Sequence, residues 1–195
     1  MGDGRRGAEG REGDLLKGLA AGVAGGLVAS LVMNQFQALW SKLSEGEERS
    51  HGAQSLQRGS SGHGVAQQLQ ESGGDEEQDD ATMRIADAIS EGVFDHEMTR
   101  GEKQAAGTAV HYAFGITTGA IYGALAEALP RVTAGAGAPF GAAVWLAADE
   151  GVVPLLGLSK SPAEYPPSTH AYALASHLVY GLTTEVVRRA VRQAL

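Results

Sequence analysis

The stretch LLKGLAAGVAGGLVASLVMNQFQALW, from Leu15 to Trp40, decides how the chain is read. It carries a single charge, Lys17, and exceeds the roughly 20 helical residues that cross about 30 Å of hydrocarbon. Within it Gly18, Gly22, Gly26, Ser30 and Asn34 recur at every fourth position. Small residues at that interval let two helix backbones approach closely, where dispersion and weak hydrogen bonds replace a hydrophobic drive that lipid does not supply. On a helix of 3.6 residues per turn such a row drifts by about 40° per step, so it forms a packing ridge that favours right-handed crossings. The stretch follows Arg5, Arg6 and Arg11. It is longer than the apolar core of a signal peptide and no A-x-A site precedes Trp40, so a retained helix is expected. Lys17 can reach the headgroups from its end.

Three further apolar stretches lie downstream, at about 104–129, 138–158 and 168–191. The fold expected is therefore all-α, an integral membrane bundle of four transmembrane helices. Residues 1–14 read as a flexible tail, 15–42 as the first span, and 43–80 as a disordered acidic linker. A short amphipathic helix is expected over 81–98, with Met83, Ala86, Ile89 and Val93 on one face, and spans two to four over 99–195. Thr99 and Glu102 have capping-box spacing and would open the second span. Pro130 should end it, and SKSPAEYPP should form a stiff loop before the fourth. All the stretches are rich in Ala and Gly, so hydropathy is moderate and a soluble helical bundle is the competing reading. Lys17, Arg131, Arg188, Arg189 and Arg192 join the N-terminal arginines on one side of the four-span arrangement. Basic loops mark the cytoplasmic face, which puts both termini there.

Composition removes several function classes. The 195 residues carry a formal charge of -8 and no cysteine. Nucleic acid is an unsuitable partner without a basic patch, and thiol catalysis, disulfides and thiolate metal sites are excluded. Phosphate loops and nucleophile elbows are missing, since the glycines sit in helical ridges without a strand-turn-helix setting. No enzyme and no cofactor are expected. Ser168-Thr169-His170 reads as a helix start with Thr169 as N-cap. Trp40, Trp145, Tyr122, Tyr172 and Tyr180 read as packing or interface aromatics, Arg188 and Arg189 as headgroup anchors, and His51 and His63 as solvated.

A second four-residue row, His111, Gly115, Gly119, Gly123 and Glu127, exposes an internal duplication. HYAFGITT (111–118) aligns with HLVYGLTT (177–184), which pairs Gly115 with Gly181. Gly22, Gly26 and Asn34-Gln35 align with Gly137, Gly141 and Asp149-Glu150. Spans one and two, and spans three and four, thus read as two helical-hairpin repeats in parallel orientation. Chance likeness between Ala/Gly-rich segments is the alternative.

The duplication focuses attention on ionisable groups. An unpaired Asp near a span's centre costs roughly 2.5–3.5 kcal/mol on insertion scales, so Asp149 and Glu150 need partners or protons. His111, His177 and Asn34 fall in the same outward half of the bundle, with Asn34 and Gln35 expected opposite the carboxylates. Imidazole and a desolvated carboxylate both titrate near neutral pH. The leading expectation is a pH-sensitive polar site on a small-solute, proton or ion pathway, linked to envelope or acid stress. Thr117, Thr118, Thr183, Thr184, Glu127 and Glu185 would continue it inward. The alternatives are hydrogen bonding that only fixes helix register, a His/carboxylate metal site, and a non-catalytic scaffold that recruits a partner through the linker. Four short helices leave little room for a pore, which makes a homodimer an expectation to test.

HYAFG, WLAADE followed by VPLLGLS, EYPPSTHAYALASHLVYG and TTEVVRR together resemble the YagU-like family of bacterial inner-membrane proteins, a domain of unknown function. The likeness covers the first helix and then runs from about residue 81 to 192. It implies a helical transmembrane fold in the inner membrane, with lipid as the surrounding partner, and brings no reaction or catalytic residues.

Overall fold

The computed structural model describes the backbone over 3–55 and 81–195, with side chains over 12–44 and 81–195. The greater part of the expected acidic linker, 56–80 with His63, lies outside the described residues, as do the side chains of Arg5, Arg6, Arg11 and His51. No strand occurs among the described residues, and the all-helical fold agrees with the sequence.

Helix α1 spans Asp3–Ser55. It is longer at both ends than the 15–42 stretch, because its Glu-, Arg- and Ala-containing flanks hold no proline to interrupt the hydrogen-bond ladder. Helix α2 spans Ala81–Phe94. Helix α3, Arg100–Ala128, opens on the expected capping box, with both Thr99–Glu102 bonds made. A 3-10 turn over Pro130–Thr133 follows, then a reversal through Gly135, Ala136 and Gly137 at positive φ. Helix α4 spans Ala138–Ala147, widens into a π-helical turn over Ala148–Val152 and closes with Val153–Leu155. The π turn has a local cause. Pro154 has no N–H to give the Glu150 carbonyl, and the Val153 N–H reaches back to Ala148 O instead. Helix α5 spans Pro167–Ala194. Its N-cap is Pro166, without a side-chain cap. This corrects the reading of Thr169, which lies inside the first turn because the prolines already start the helix.

Helix α1 packs on α3 and α5, α4 packs on α5, and α2 packs on the start of α3. Gly18 meets Gly123 and Gly26 meets Gly115, so α1 and α3 are antiparallel. Gly25 faces the Thr184 carbonyl and Arg192 reaches Asp14, so α5 also runs against α1. Gly137 meets Gly181, and Gly141 meets both His177 and Gly181, which gives α4 and α5 the same antiparallel ladder.

The interior combines small and polar side chains with an aromatic cluster of Tyr122, Phe140 and Tyr180. Ala21, Ala29, Ser30, Ser176 and Thr184 are fully buried, whereas Leu16, Leu31, Phe114, Ile121, Leu146 and Val186 are exposed. Among the described residues, one helical stretch, Glu12–Ser44, is long and apolar enough by itself to cross a membrane. Helices α3 and α5 have the length, 29 and 28 residues, but both are diluted by Gly, Thr and His and charged near their ends.

Candidate functional site

The π turn is the feature that builds the site. Neighbouring residues on an α-helix point about 100° apart. A wider turn brings them closer to one face, and here Asp149 and Glu150 both face α5. On α5, His170 and His177 are seven residues apart, two turns along the same face. The two carboxylates therefore meet two imidazoles as separate pairs.

Glu150 Oε1 lies 2.5 Å from His170 Nδ1. The other ring nitrogen, Nε2, is 3.0 Å from the carbonyl oxygen of Pro162 in the loop between α4 and α5. That loop is internally braced. Ser161 and Glu164 form a capping box around a 3-10 turn, the Lys160 N–H donates to Tyr165 Oη, and the Tyr165 N–H donates to the same Pro162 oxygen. The second pair is looser. His177 Nδ1 is 3.6 Å from Asp149 Oδ2 and hydrogen-bonds to Ala173 O at 2.9 Å. The Glu150 side chain is 18% exposed and that of Asp149 38%.

The other residues expected at this end belong to the first hairpin. Asn34 Nδ2 donates to Tyr112 Oη at 3.0 Å instead of facing the carboxylates, and Gln35 is exposed. His111 stands edge-on to the Tyr112 ring. Asn34 and His111 are thus tied together through Tyr112, while His170, read from the sequence only as part of a helix start, takes the strongest contact with a carboxylate. The signal that could have found it is its seven-residue spacing from His177.

Further along α5 the polar groups continue inside the bundle. Tyr180 donates to Gly115 O at 2.6 Å and shares a 2.8 Å bond with Thr118. Thr184 is fully buried and donates to Tyr180 O. Glu185, 1% exposed, holds Arg188 by two hydrogen bonds of 2.7 and 3.0 Å and also binds Arg189. Arg192 bridges Glu127 and Asp14, and hydrogen bonding to Glu127 holds its guanidinium above the usual arginine range. Arg188 is therefore a buried ion-pair member and not the surface anchor expected, because Glu185 one turn earlier compensates its charge. Thr183 is half-buried. Thr117 departs from this line, and opens onto an apolar groove of about 580 Å³ between Leu15, Leu19, Ile121 and Leu125.

No group of three or more His, Asp and Glu among the described residues is placed to hold a metal ion. The glycine rows have a plain structural role. A methyl group on Gly119 would lie 2.6 Å from both Gly22 O and Gly26 Cα, so backbone meets backbone there and no side chain fits.

No curated protein and no solved structure matches the chain. Residues 89–186, from α2 through the π turn and both histidines to Glu185, match the family described as protein of unknown function DUF1440. The chain belongs to the DUF1440 family.

Proposed function

We propose that the chain crosses the bacterial inner membrane four times, through α1, α3, α4 with its π turn, and α5, and that it passes protons along the buried face of α5. The inverted distribution of side chains supports the membrane part. Leucine, isoleucine and valine cover much of the outside, while alanine, serine, threonine, two tyrosines and an ion pair fill the inside, an arrangement that suits a hydrocarbon solvent better than water. Lys17, Arg131, Arg188, Arg189 and Arg192 gather at one end, which in this reading faces the cytoplasm together with both termini. The resemblance to YagU-like inner-membrane proteins fits that location.

The observation that carries the transport part is a seam of polar side chains set in a row along α5 from His170 to Glu185. It passes from Glu150–His170 and Asp149–His177, through Tyr180 with Thr118 and then Thr184, to Glu185. Carboxyl, imidazole and hydroxyl groups can each both give and accept a proton, and intramembrane chains of them mark proton relays. The glycine ladders favour the proton over larger solutes, because α1 against α3 and α4 against α5 leave no bore between backbones. The reading includes no chemical conversion and no cofactor.

Proteoliposomes holding an internal pH dye, under a potassium diffusion potential, test it. The wild-type protein should acidify the lumen faster than empty vesicles. Asp149→Asn with Glu150→Gln, and separately His177→Ala, should remove most of that flux. Wild-type vesicles no faster than empty ones overturn the reading.

A further inference from the structure

We propose that the proton shared by Glu150 and His170 latches the α4–α5 loop over the outer end of the α5 seam, and that the loop is released when this proton leaves. The proposal rests on the proton-handling reading for its purpose, but its geometry stands separately.

Proton counting decides the matter. Pro162 O can only accept, so His170 Nε2 must carry a hydrogen to make its 3.0 Å bond. At 2.5 Å, Glu150 Oε1 and His170 Nδ1 must also have a proton between them. Whether it rests on the ring, as an ion pair, or on the carboxyl, as a neutral pair, both contacts are made. Remove that one proton to solvent and the ring keeps a single hydrogen against two acceptors. With the hydrogen on Nε2, the Nδ1 lone pair faces a carboxylate, and the pair separates. With it on Nδ1, the bond to Pro162 is lost. In neither tautomer does the ring hold the loop carbonyl and the π-turn carboxylate together, so the three-way fastening of loop, α4 and α5 fails.

The surrounding titratable groups do not replace the missing proton. Asp149 beside Glu150 is turned to His177. In the loop, the Glu164 carboxylate accepts from the Ser161 N–H, and the Tyr165 hydroxyl is turned to the Lys160 N–H, away from the Glu150–His170 pair. The best reporter is the Tyr165 N–H, because it shares the Pro162 oxygen with His170. The loop therefore closes in acid and opens as pH rises through the histidine range, which would restrict the outer mouth of the seam when protons are abundant there.

Hydrogen exchange on the full chain in lipid nanodiscs tests this. After correction for intrinsic rates, the Tyr165 amide should open about tenfold more readily near about pH 8 than near about pH 5, the scale of one charge-assisted hydrogen bond. Glu150→Gln should stay latched at both values, since an amide N–H can donate to the Nδ1 lone pair while Nε2 holds Pro162. His170→Phe should be open at both. Equal wild-type protection at the two values, or switching that persists in Glu150→Gln, overturns the latch. No gradient is used, so a loop that switches in a protein that passes no protons keeps the latch and retires the transport reading.

Discussion

The α1–α3 hairpin and the α4–α5 hairpin close over the same kind of glycine ladder and differ in what they place around it. In the first, Gly18, Gly22 and Gly26 meet Gly115, Gly119 and Gly123 along about two turns of helix, and the outer end holds a neutral Asn34–Tyr112 bond. In the second, the ladder shortens to Gly137, Gly141 and Gly181, and the outer end holds two carboxylates and two imidazoles. The alignment that pairs His111 with His177 puts Gln104 where the second hairpin has His170, and Gly119 where it has Glu185. The shared glycines carry packing. The positions where the copies diverge are those where one copy gained ionisable groups, and that places the chemistry in the second hairpin.

The sharpest way to break this contrast is at its inner end. Arg188→Leu strips Glu185 of its two-bond partner in the interior, and should cost about 4 kcal/mol of stability in denaturant unfolding, whereas the double variant Glu185→Leu/Arg188→Leu should recover most of it. A harmless single variant would mean that the buried carboxylate is not paying a desolvation cost. Next comes the ladder. Gly119→Ala drives a methyl into the Gly22 carbonyl and the Gly26 backbone, and a loss of about 2 kcal/mol in thermal unfolding is expected. Because α1 also supports α5, Gly119→Ala should destabilise the whole bundle, while Gly141→Ala should chiefly loosen α4. Equal effects on the two hairpins would erase the distinction between a central and a flanking ladder.

The smallest effect sharpens the contrast at the outer end. The Glu102 carboxylate is held below the usual carboxylate range by the Thr99 backbone N–H, then by the Thr99 hydroxyl and His96. A depressed carboxylate contributes above its unfolded pKa and loses that contribution as pH falls through the folded value. The first turn of α3 should therefore fray in acid, with Arg100–Lys103 amide exchange rising, and Glu102→Gln should lessen that dependence. The α4–α5 loop should respond in the opposite sense. The starts of α3 and α5 would then be held by acid-labile and base-labile contacts respectively.

Much of the fold was legible because its signals are local. Apolar length placed the helices, Thr99 with Glu102 gave the start of α3, Pro130 its end, and the four-residue rows gave the helix contacts. The π turn was not read, since it is a shift of backbone partners and not a residue pattern, although Pro154 just beyond Asp149-Glu150 is its visible cause. That turn accompanies the Glu150–His170 contact, whereas the repeat alignment points to Asn34 and His111 as the partners of the carboxylates. The burial of Arg188 is hidden for a similar reason. A basic residue near a helix end looks like an anchor until a neighbour in space, Glu185, is seen to draw it inward.

Helix α1 has a second small face, where Gly25 lies against the Thr184 carbonyl and Ala21 and Ala29 are fully covered. In the proposed four-span reading α1 enters the bilayer well before α5 exists, so this face waits, uncovered by α5, while the intervening helices are made. Completion of the bundle is then a late event, and chains halted before α5 would present a long, close-fitting backbone groove to any passing helix. Quality-control proteases and stray membrane partners would meet that groove first.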